Sequence, residues 1–238
     1  MHLKFALSVL ALAATVPSSA DVNVVRQKLE SRYRNARTLQ ATFLERYSEN
    51  DQLAREEAGV AYFQRPGKMR WEYRSPEKNV FLVDGKMAWF YVPADHTVTR
   101  APAKQSTDWR TPLALLAGEM KLSRVCGSVR ATPSEPPITS GDVVLYCSQR
   151  GDNSRKRKEE TGSGALQDTN SEDAVYMEVA PESGKLVRVL VRETGGVSID
   201  FRFENWRFDP PVAASLFRFD VPPGVAIVSG ESSGPQQK

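Results

Sequence analysis

A period-two alternation of apolar and polar side chains, repeated along the chain and broken by turn residues, is the feature that most limits how this sequence can fold. Leu39, Ala41 and Phe43 alternate with the polar Gln40 and Thr42. Successive side chains of a strand point to opposite faces, so this pattern is typical of a half-buried strand. Further runs with strand composition follow at residues 58–64, 69–74, 79–83, 86–92, 143–148, 174–180, 185–192 and 197–206. About ten antiparallel strands joined by short turns predict a barrel or a strongly curved sheet.

Two segments have helical rather than strand character. Residues 21–37 place apolar side chains three or four positions apart, which predicts one long amphipathic helix. These side chains are Val22, Val25, Leu29, Tyr33 and Ala36. A second segment begins at Thr111-Pro112 and ends at Gly118, and its apolar residues occupy all sides of about one and a half turns. We therefore expect a short, fully apolar helix at 112–117.

The Asp-Gly pair at 84–85 predicts a tight hairpin, because a two-residue primed turn needs residues that accept positive φ. Such a turn pairs Val83 with Lys86 and Leu82 with Met87. One face then carries Val80, Leu82, Met87, Trp89 and Tyr91, and the other carries Phe81, Val83, Ala88, Phe90 and Val92. Because both faces are apolar, both need a cover. We expect the long helix to cover the sheet from outside, and the inner face to receive the short helix or a ligand.

The length, composition and net charge of the chain indicate which classes of protein it can belong to. With 238 residues, 40% of them hydrophobic, the chain has enough material for one domain with a substantial core. A net charge of +3 with acids and bases interleaved gives no argument for a nucleic-acid partner. No stretch after the first apolar run approaches the roughly 18 apolar residues of a membrane-spanning helix, so we expect the mature protein to be soluble.

The start of the chain has the features of a secretory signal peptide. Lys4 precedes an apolar run at 5–16, and small residues at 17–20 prepare a cleavage site before Asp21. A low apolar content predicts that two later segments, 150–172 and 229–238, are mobile. The expected organisation is a signal peptide at 1–20, a single domain at 21–228 with a flexible insertion loop at 150–172, and a disordered tail at 229–238.

The two cysteines, Cys126 and Cys147, belong to a chain that we expect to be exported. An oxidising compartment favours a disulfide between them, which would close a loop of about twenty residues and stabilise the fold by roughly 3 kcal/mol. The alternative is two separate free thiols. A metal site is disfavoured, because two cysteines at this spacing and the distant His96 do not form a ligand cluster.

Motifs for catalysis are weak. Residues 230–234 match the Gly-x-Ser-x-Gly pattern of serine hydrolases, but they lie in the polar tail with no helix after them. Asp200 and Glu204 alternate with apolar residues on one strand and are expected to form a solvent-facing row. The basic run at 155–158 lacks aromatic neighbours, which favours a solvated loop over a surface for RNA or anionic lipid. We expect no enzymatic activity, no cofactor, no metal and no nucleic-acid partner.

A set of short motifs runs through the chain in a specific order and spacing. They are Leu39–Phe43 (LQATF), Gly59–Pro66 (GVAYFQRP), Met69–Tyr73 (MRWEY), Ser75-Pro76, Val83–Lys86 (VDGK), Trp89–Tyr91 (WFY) with Pro93, Thr111–Leu113 (TPL), Phe217–Phe219 (FRF) and Pro222–Val225 (PPGV). Together they resemble the periplasmic lipoprotein carrier family, LolA. The resemblance extends over residues 21–226, which is nearly the whole mature chain.

The resemblance implies an unclosed antiparallel β-barrel of about 10–11 strands, with a helical lid over a hydrophobic cavity. It implies a periplasmic carrier that receives the acyl chains of lipoproteins released from the inner membrane by an ABC transporter. The carrier then delivers them to an acceptor at the outer membrane. We expect a monomer.

The resemblance also implies roles for individual residues. Arg65, in the Arg-Pro motif, corresponds to the arginine that hydrogen-bonds the lid and holds the empty carrier closed. Met69 corresponds to the apolar position used in cargo and partner handling, and Trp71 to the inward tryptophan. The side chains expected to bind lipid are Phe43, Tyr62, Met69, Trp71, Tyr73, Phe81, Trp89, Leu113, Leu115 and Leu116.

Two other functions fit the same fold. One is a periplasmic module that senses lipids or lipoproteins and signals to a membrane partner. The other is a carrier for a different acyl lipid. The cysteine pair, the 150–172 insertion and the short middle helix depart from the family pattern.

Overall fold

A computed structural model describes residues 19–103, 116–118, 121–132, 134–149 and 174–229. Four predictions therefore fall mainly outside the described residues. They concern the signal peptide up to residue 18, the short helix before residue 116, the 150–172 insertion and the tail beyond Ser229.

The long helix predicted near the start of the domain is present as α1, Ser19–Arg34. It buries Val25, Leu29 and Tyr33, which lie on one side at helical spacing. On the exposed side Arg34 Nη2 lies 3.2 Å from the Glu30 carboxylate, an i,i+4 pair. A second helix, α2, is a single turn at Leu122–Val125.

Twelve strands form one sheet. They are β1 Thr38–Glu49, β2 Gln52–Gln64, β3 Lys68–Ser75, β4 Val80–Val83, β5 Met87–Val92, β6 Thr97–Pro102, β7 Cys126–Ala131, β8 Val143–Gln149, β9 Ala174–Ala180, β10 Lys185–Glu193, β11 Val197–Phe208 and β12 Ala226–Ser229. The order across the sheet is β12-β6-β5-β4-β3-β2-β1-β11-β10-β9-β8-β7. All neighbours are antiparallel except β12 and β6, which run parallel.

The predicted unclosed sheet is confirmed, and each strand predicted from alternation is present. Its two ends, β12 and β7, are different strands at opposite edges of the order, so the sheet is not closed into a barrel. The sequence missed β6, β7 and β12, which are short and carry Pro, Gly or Ser. It also missed the first half of β2, which is rich in charged residues.

Ring contacts across the sheet show that it curls. The rings of Trp71 on β3 and Phe201 on β11 lie 5.5 Å apart, although β2 and β1 separate their strands. In a flat sheet, strands three positions apart are separated by about 14 Å. The face that carries these rings is therefore the concave inner face.

Helix α1 lies on this inner face, and the prediction that it covers the sheet from outside is wrong. Leu29 and Tyr33 belong to the same buried cluster as Trp71 and Phe201. The physical reason is that the inner face offers the larger apolar area, because its strands contribute aromatic side chains from both halves of the sheet.

The outer face of β3–β6 is covered instead by the C-terminal segment. Phe217 is buried there, and the ring of Phe219 stacks on Trp89 with centroids 5.4 Å apart. Arg70 Nη1 donates to the carbonyl of Leu216 at 3.3 Å. This segment then adds β12 to the sheet edge.

The β4–β5 hairpin differs in register from the prediction. Val83 lies opposite Ala88, not Lys86, so the loop is two residues longer on the β5 side. Asp84 is the cause, because its Oδ1 accepts the backbone N–H groups of Lys86 and Met87, each at 2.8 Å. A shift of two residues preserves the facing of every side chain, so the predicted composition of the two faces still holds.

Asp200 is buried on the outer face, and the prediction that it belongs to a solvent-facing row is wrong. Arg188 Nε donates to Asp200 at 2.8 Å, and Arg188 Nη1 donates to Glu135 at 2.9 Å. Burial alone lowers the pKa of Arg188, but the two carboxylates outweigh it and raise that pKa above its ordinary value. Glu204 is exposed, as expected.

A glycine sets the distance between α1 and the β9–β10 turn. Gly184 has φ +67°, and a Cβ there would lie 2.5 Å from the backbone carbon of Lys28. We expect Gly184→Ala to lower the free energy of unfolding by about 2–4 kcal/mol, since it adds a helix clash to the cost of positive φ. Urea unfolding measures this value.

Gly141→Ala is the matched control. Gly141 also has positive φ, +88°, but nothing lies within 4 Å of a Cβ there. It is expected to cost only about 1–2 kcal/mol. Equal losses in the two variants would show that the contact with α1 does not matter.

Candidate functional site

The inner face carries a group of large apolar side chains that are almost completely buried. They are Phe43, Phe63, Trp71, Phe81, Phe201 and Phe203. They come from five strands, β1–β4 and β11, and face the same side because they share the strand alternation. Trp71 is central, with ring centroids 4.8 Å from Phe43 and 5.7 Å from Phe63.

Helix α1 closes one part of this face. The Tyr33 ring lies 5.0 Å from Trp206 and 5.4 Å from Phe208. Its hydroxyl oxygen accepts the backbone N–H of Leu186 at 2.9 Å. Burial raises the pKa of Tyr33 above its ordinary value, so the hydroxyl stays neutral. A broad apolar contact therefore holds the helix, together with polar contacts that include the Tyr33 hydroxyl and the Lys28 ammonium, which donates to the Pro181 carbonyl at 2.9 Å.

A second cover comes from residues 116–118. Leu116 and Ala117 are buried in the same cluster as the inner-face rings. Gly67 donates its backbone N–H to the Ala117 carbonyl at 2.8 Å. The turn between β2 and β3 is therefore in direct contact with this second cover.

The same turn also holds the end of α1. Arg65 Nη1 donates to the carbonyls of Arg34 and Ala36, the second at 2.7 Å. The Arg65 backbone N–H donates to the Arg37 carbonyl at 3.0 Å. A cation suits this position, because the carbonyls at a helix C-terminus carry partial negative charge. Burial lowers the pKa of Arg65, and the charge of Asp209 opposes that change.

One end of the inner face is polar. Glu45 is only 2% exposed, and its carboxylate accepts the Tyr73 hydroxyl at 2.8 Å. Glu57 lies directly opposite Glu45 in the β1–β2 register, and Arg55 Nε is 2.8 Å from its carboxylate. The inner face therefore combines a wide apolar centre with a charged end, an arrangement that suits an amphiphilic ligand.

The structure brings most of the predicted lipid-binding residues together. The inner-face group contains Phe43, Met69, Trp71, Tyr73 and Phe81, and Leu116 covers it. Tyr62 and Trp89 are on the outer face instead, because each neighbours an inward residue in its strand. Leu113 and Leu115 lie outside the described residues.

Sequence reasoning missed several members of the inner face. They are Tyr33, Glu45, Phe63, Phe201, Phe203 and Trp206. The period-two pattern could have identified Phe63, since it alternates with Tyr62 in a predicted strand. The contact of Tyr33 with Trp206 has no such sequence signal, because the two residues are distant in the chain.

The cysteines form a disulfide, so the favoured pairing of Cys126 with Cys147 is confirmed. Both are buried and join β7 to β8 at one edge of the sheet. The crosslink holds the last strand of the order in place.

A cleft of about 490 Å³ lies on the outer face, between β3–β5 and the C-terminal segment. Its charged side chains are paired with each other or with neighbours. Arg70 lies 2.7 Å from Glu72, and Arg218 lies 2.9 Å from Asp220. This cleft is separated from the inner face by the sheet.

Within the described ranges, no three His, Cys, Asp or Glu side chains are grouped so that they could hold a metal ion. Searching the same ranges, we find no helix that is long and apolar enough to cross a membrane.

The Tyr73 hydroxyl compensates for the burial of the Glu45 carboxylate. We expect Tyr73→Phe to lower the free energy of unfolding by about 1.5–3 kcal/mol, because a buried charge loses one donor. Urea unfolding at neutral pH measures this loss. Tyr91→Phe on the outer face is the control and is expected to cost less than about 0.5 kcal/mol. A loss for Tyr73→Phe as small as that of the control would contradict this account.

The profile of the family described as "Outer membrane lipoprotein carrier protein LolA" matches residues 34–133. An outer-membrane lipoprotein carrier protein from Nitrosospira multiformis is 31% identical over 215 residues, which is 84% of this chain and 86% of that protein. A second, from Methylococcus capsulatus, is 39% identical over 98 residues, covering 41% of this chain and 47% of that protein.

One solved structure supports the fold. It is an uncharacterized conserved protein from Thermus thermophilus, with a TM-score of 0.51, 15% sequence identity and coverage of 87% of this chain and 98% of that one. At this identity the likeness concerns the fold alone.

Proposed function

Because this chain belongs to the outer-membrane lipoprotein carrier family, we propose that it carries the acyl chains of lipoproteins through the periplasm. It receives them as they are released from the inner membrane by an ABC transporter. It delivers them to an acceptor at the outer membrane.

The observation that carries this proposal is the inner face. A curled sheet presents a large group of aromatic side chains to one enclosed side, and the covers over that side are two separate segments. Here the covers, α1 and residues 116–118, meet at one turn, 65–67, through a few hydrogen bonds.

The energetics of the cargo require such an enclosure. Exposure of acyl chains to water costs about 0.8 kcal/mol per methylene, or about 12 kcal/mol for a C16 chain. Unassisted escape from a membrane is therefore very slow. A carrier must bury the acyl chains that the membrane had shielded from water. An aromatic inner face can do so for ligands of different shapes.

Loading requires the covers to move, because the inner rings are buried by the protein's own side chains in the structure described here. Arg65 suits the role of a latch. Its guanidinium is planar and always charged, so it can exchange one set of carbonyls for another as the covers open. Its Nε and Nη2 atoms are buried and have no acceptor among the described residues, which leaves donors for that exchange.

The proposed loading can be measured directly. Inner-membrane vesicles that contain the releasing transporter and a triacylated lipoprotein are incubated with the purified protein and ATP. We expect the lipoprotein to appear in the soluble fraction and to co-elute with this protein as a 1:1 complex of monomers. Release of lipoprotein only when detergent is present, with this protein eluting empty, would contradict the proposal.

The latch role of Arg65 has a separate test. We expect Arg65→Leu to load lipoprotein at least as well as the wild type and to lose most of its handover to outer-membrane vesicles. The open form would no longer be drawn back by the carbonyls at the end of α1. Handover is measured as lipoprotein transferred to the vesicle pellet over time.

Two further variants make this test specific. Arg74→Leu removes an exposed arginine whose nearest carboxylate contact, to Glu72, is 3.9 Å, and should leave handover unchanged. Arg65→Lys keeps the charge without the planar fork and should restore handover in part. Normal handover by Arg65→Leu would remove Arg65 from the mechanism.

A further inference from the structure

The indole of Trp71 carries a hydrogen-bond donor that has no partner among the described residues. Trp71 is 1% exposed. Its Nε1 is buried and has no acceptor among the residues that the structure describes. A buried N–H without an acceptor costs about 1–3 kcal/mol, and native proteins contain few of them. An unused donor in the middle of a candidate binding face points to a group that arrives with a ligand.

The surroundings of Trp71 explain why the donor is unused. Its neighbours in the sheet register are Ala61 and Phe81, and Phe43 and Phe201 pack against its ring. All four side chains are apolar and offer no oxygen. An N–H directed at a ring face gives only a weak interaction, which does not replace an N–H···O bond.

The other tryptophans in the described ranges have acceptors. Trp206 lies in the same aromatic group, and its Nε1 donates to the Leu186 carbonyl at 2.9 Å. Trp89, on the outer face, donates to the Asp84 carboxylate at 3.1 Å. The unused donor is therefore particular to Trp71 and is not a general feature of indoles in this fold.

We propose that Trp71 donates its indole N–H to a carbonyl oxygen of the bound lipid, in an acyl ester or amide group. This inference rests on the proposed carrier function. A hydrocarbon tail contains no acceptor, so the carbonyl that joins the tail to the rest of the lipid is the strong acceptor that can enter an apolar site with it. Trp71 then makes the inner face selective for acyl lipids over alkyl ethers of the same length.

The proposed hydrogen bond also contributes to the free energy of lipid binding. Before binding, the donor has no acceptor among the described residues, and an unsatisfied buried donor destabilises the aromatic group around it. A bound carbonyl accepts this hydrogen bond and removes the destabilisation. Binding is more favourable as a result, because the protein without lipid has the less stable arrangement. An ether analogue fills the same volume but offers a much weaker acceptor, and so does not remove this destabilisation.

Two synthetic lipopeptides test the proposal. One carries S-[2,3-bis(palmitoyloxy)propyl]cysteine, and the other carries its bis(hexadecyloxy) ether analogue on the same peptide. Their Kd values are measured for the wild type, Trp71→Phe and Trp89→Phe. We expect the wild type to prefer the ester. Trp71→Phe should reduce that preference by about five- to thirty-fold, and Trp89→Phe should leave it unchanged, because Trp89 lies on the outer face and its N–H is already bonded to Asp84.

A spectroscopic readout separates a hydrogen bond from a change in packing. With ¹⁵N-labelled wild-type protein, the indole ¹H resonance of Trp71 should move downfield on binding the ester and stay nearly unchanged on binding the ether. If Trp71→Phe does not fold, incorporation of 3-benzothienylalanine at position 71 keeps the bicyclic shape and replaces the N–H by sulfur. The expected loss of ester preference is the same.

The outcomes distinguish this inference from the proposed function. An ester preference that survives in Trp71→Phe, or an equal Trp71 resonance shift with both lipopeptides, would overturn the inference while leaving the carrier function intact. Failure of the wild type to bind either lipopeptide would overturn the carrier function, and the inference with it.

Discussion

Contact between aromatic side chains across the inner face is what the rest of this structure depends on. The rings of Trp71 on β3 and Phe201 on β11 are in contact although two strands, β2 and β1, lie between β3 and β11. The sheet must therefore curl for the two rings to meet. Curling creates the concave side, and the concave side requires covers, since its rings cannot remain exposed to water. The two covers and the Arg65 contacts follow from that requirement. A flat sheet of the same strands would have neither an interior nor a need for covers.

Two kinds of contact hold the covers over the inner face. Broad apolar contact holds α1 and residues 116–117 against the rings, and this contact is not directional. The directional contacts lie at separate places, which include the turn at 65–67 and the Tyr33 hydroxyl on the Leu186 backbone. In the function that we propose, an acyl chain replaces the apolar contacts with equivalent ones. The hydrogen bonds at the turn and at Leu186 are exchanged as the covers open.

Alternation in the sequence was sufficient to predict most of the strands and an apolar surplus that needs a cover, but not the short strands β6, β7 and β12. It was not sufficient for the register of the β4–β5 hairpin, because the side chain of Asp84 accepts two backbone N–H groups and lengthens the loop. Nor could it place Asp200, whose burial depends on Arg188 from the neighbouring strand and on Glu135 from a distant loop.

The sequence by itself determined the class of fold, the two-sided apolar hairpin and the family resemblance, because each of these is written in neighbouring residues and their spacing. Only the tertiary structure decided that α1 lies inside the curve, that the C-terminal segment covers the outside, and that Trp71 has no acceptor among the described residues while Trp206 has one. These features depend on which distant side chains meet when the sheet curls. Curvature is a property of the whole sheet, and no local pattern in the chain records it.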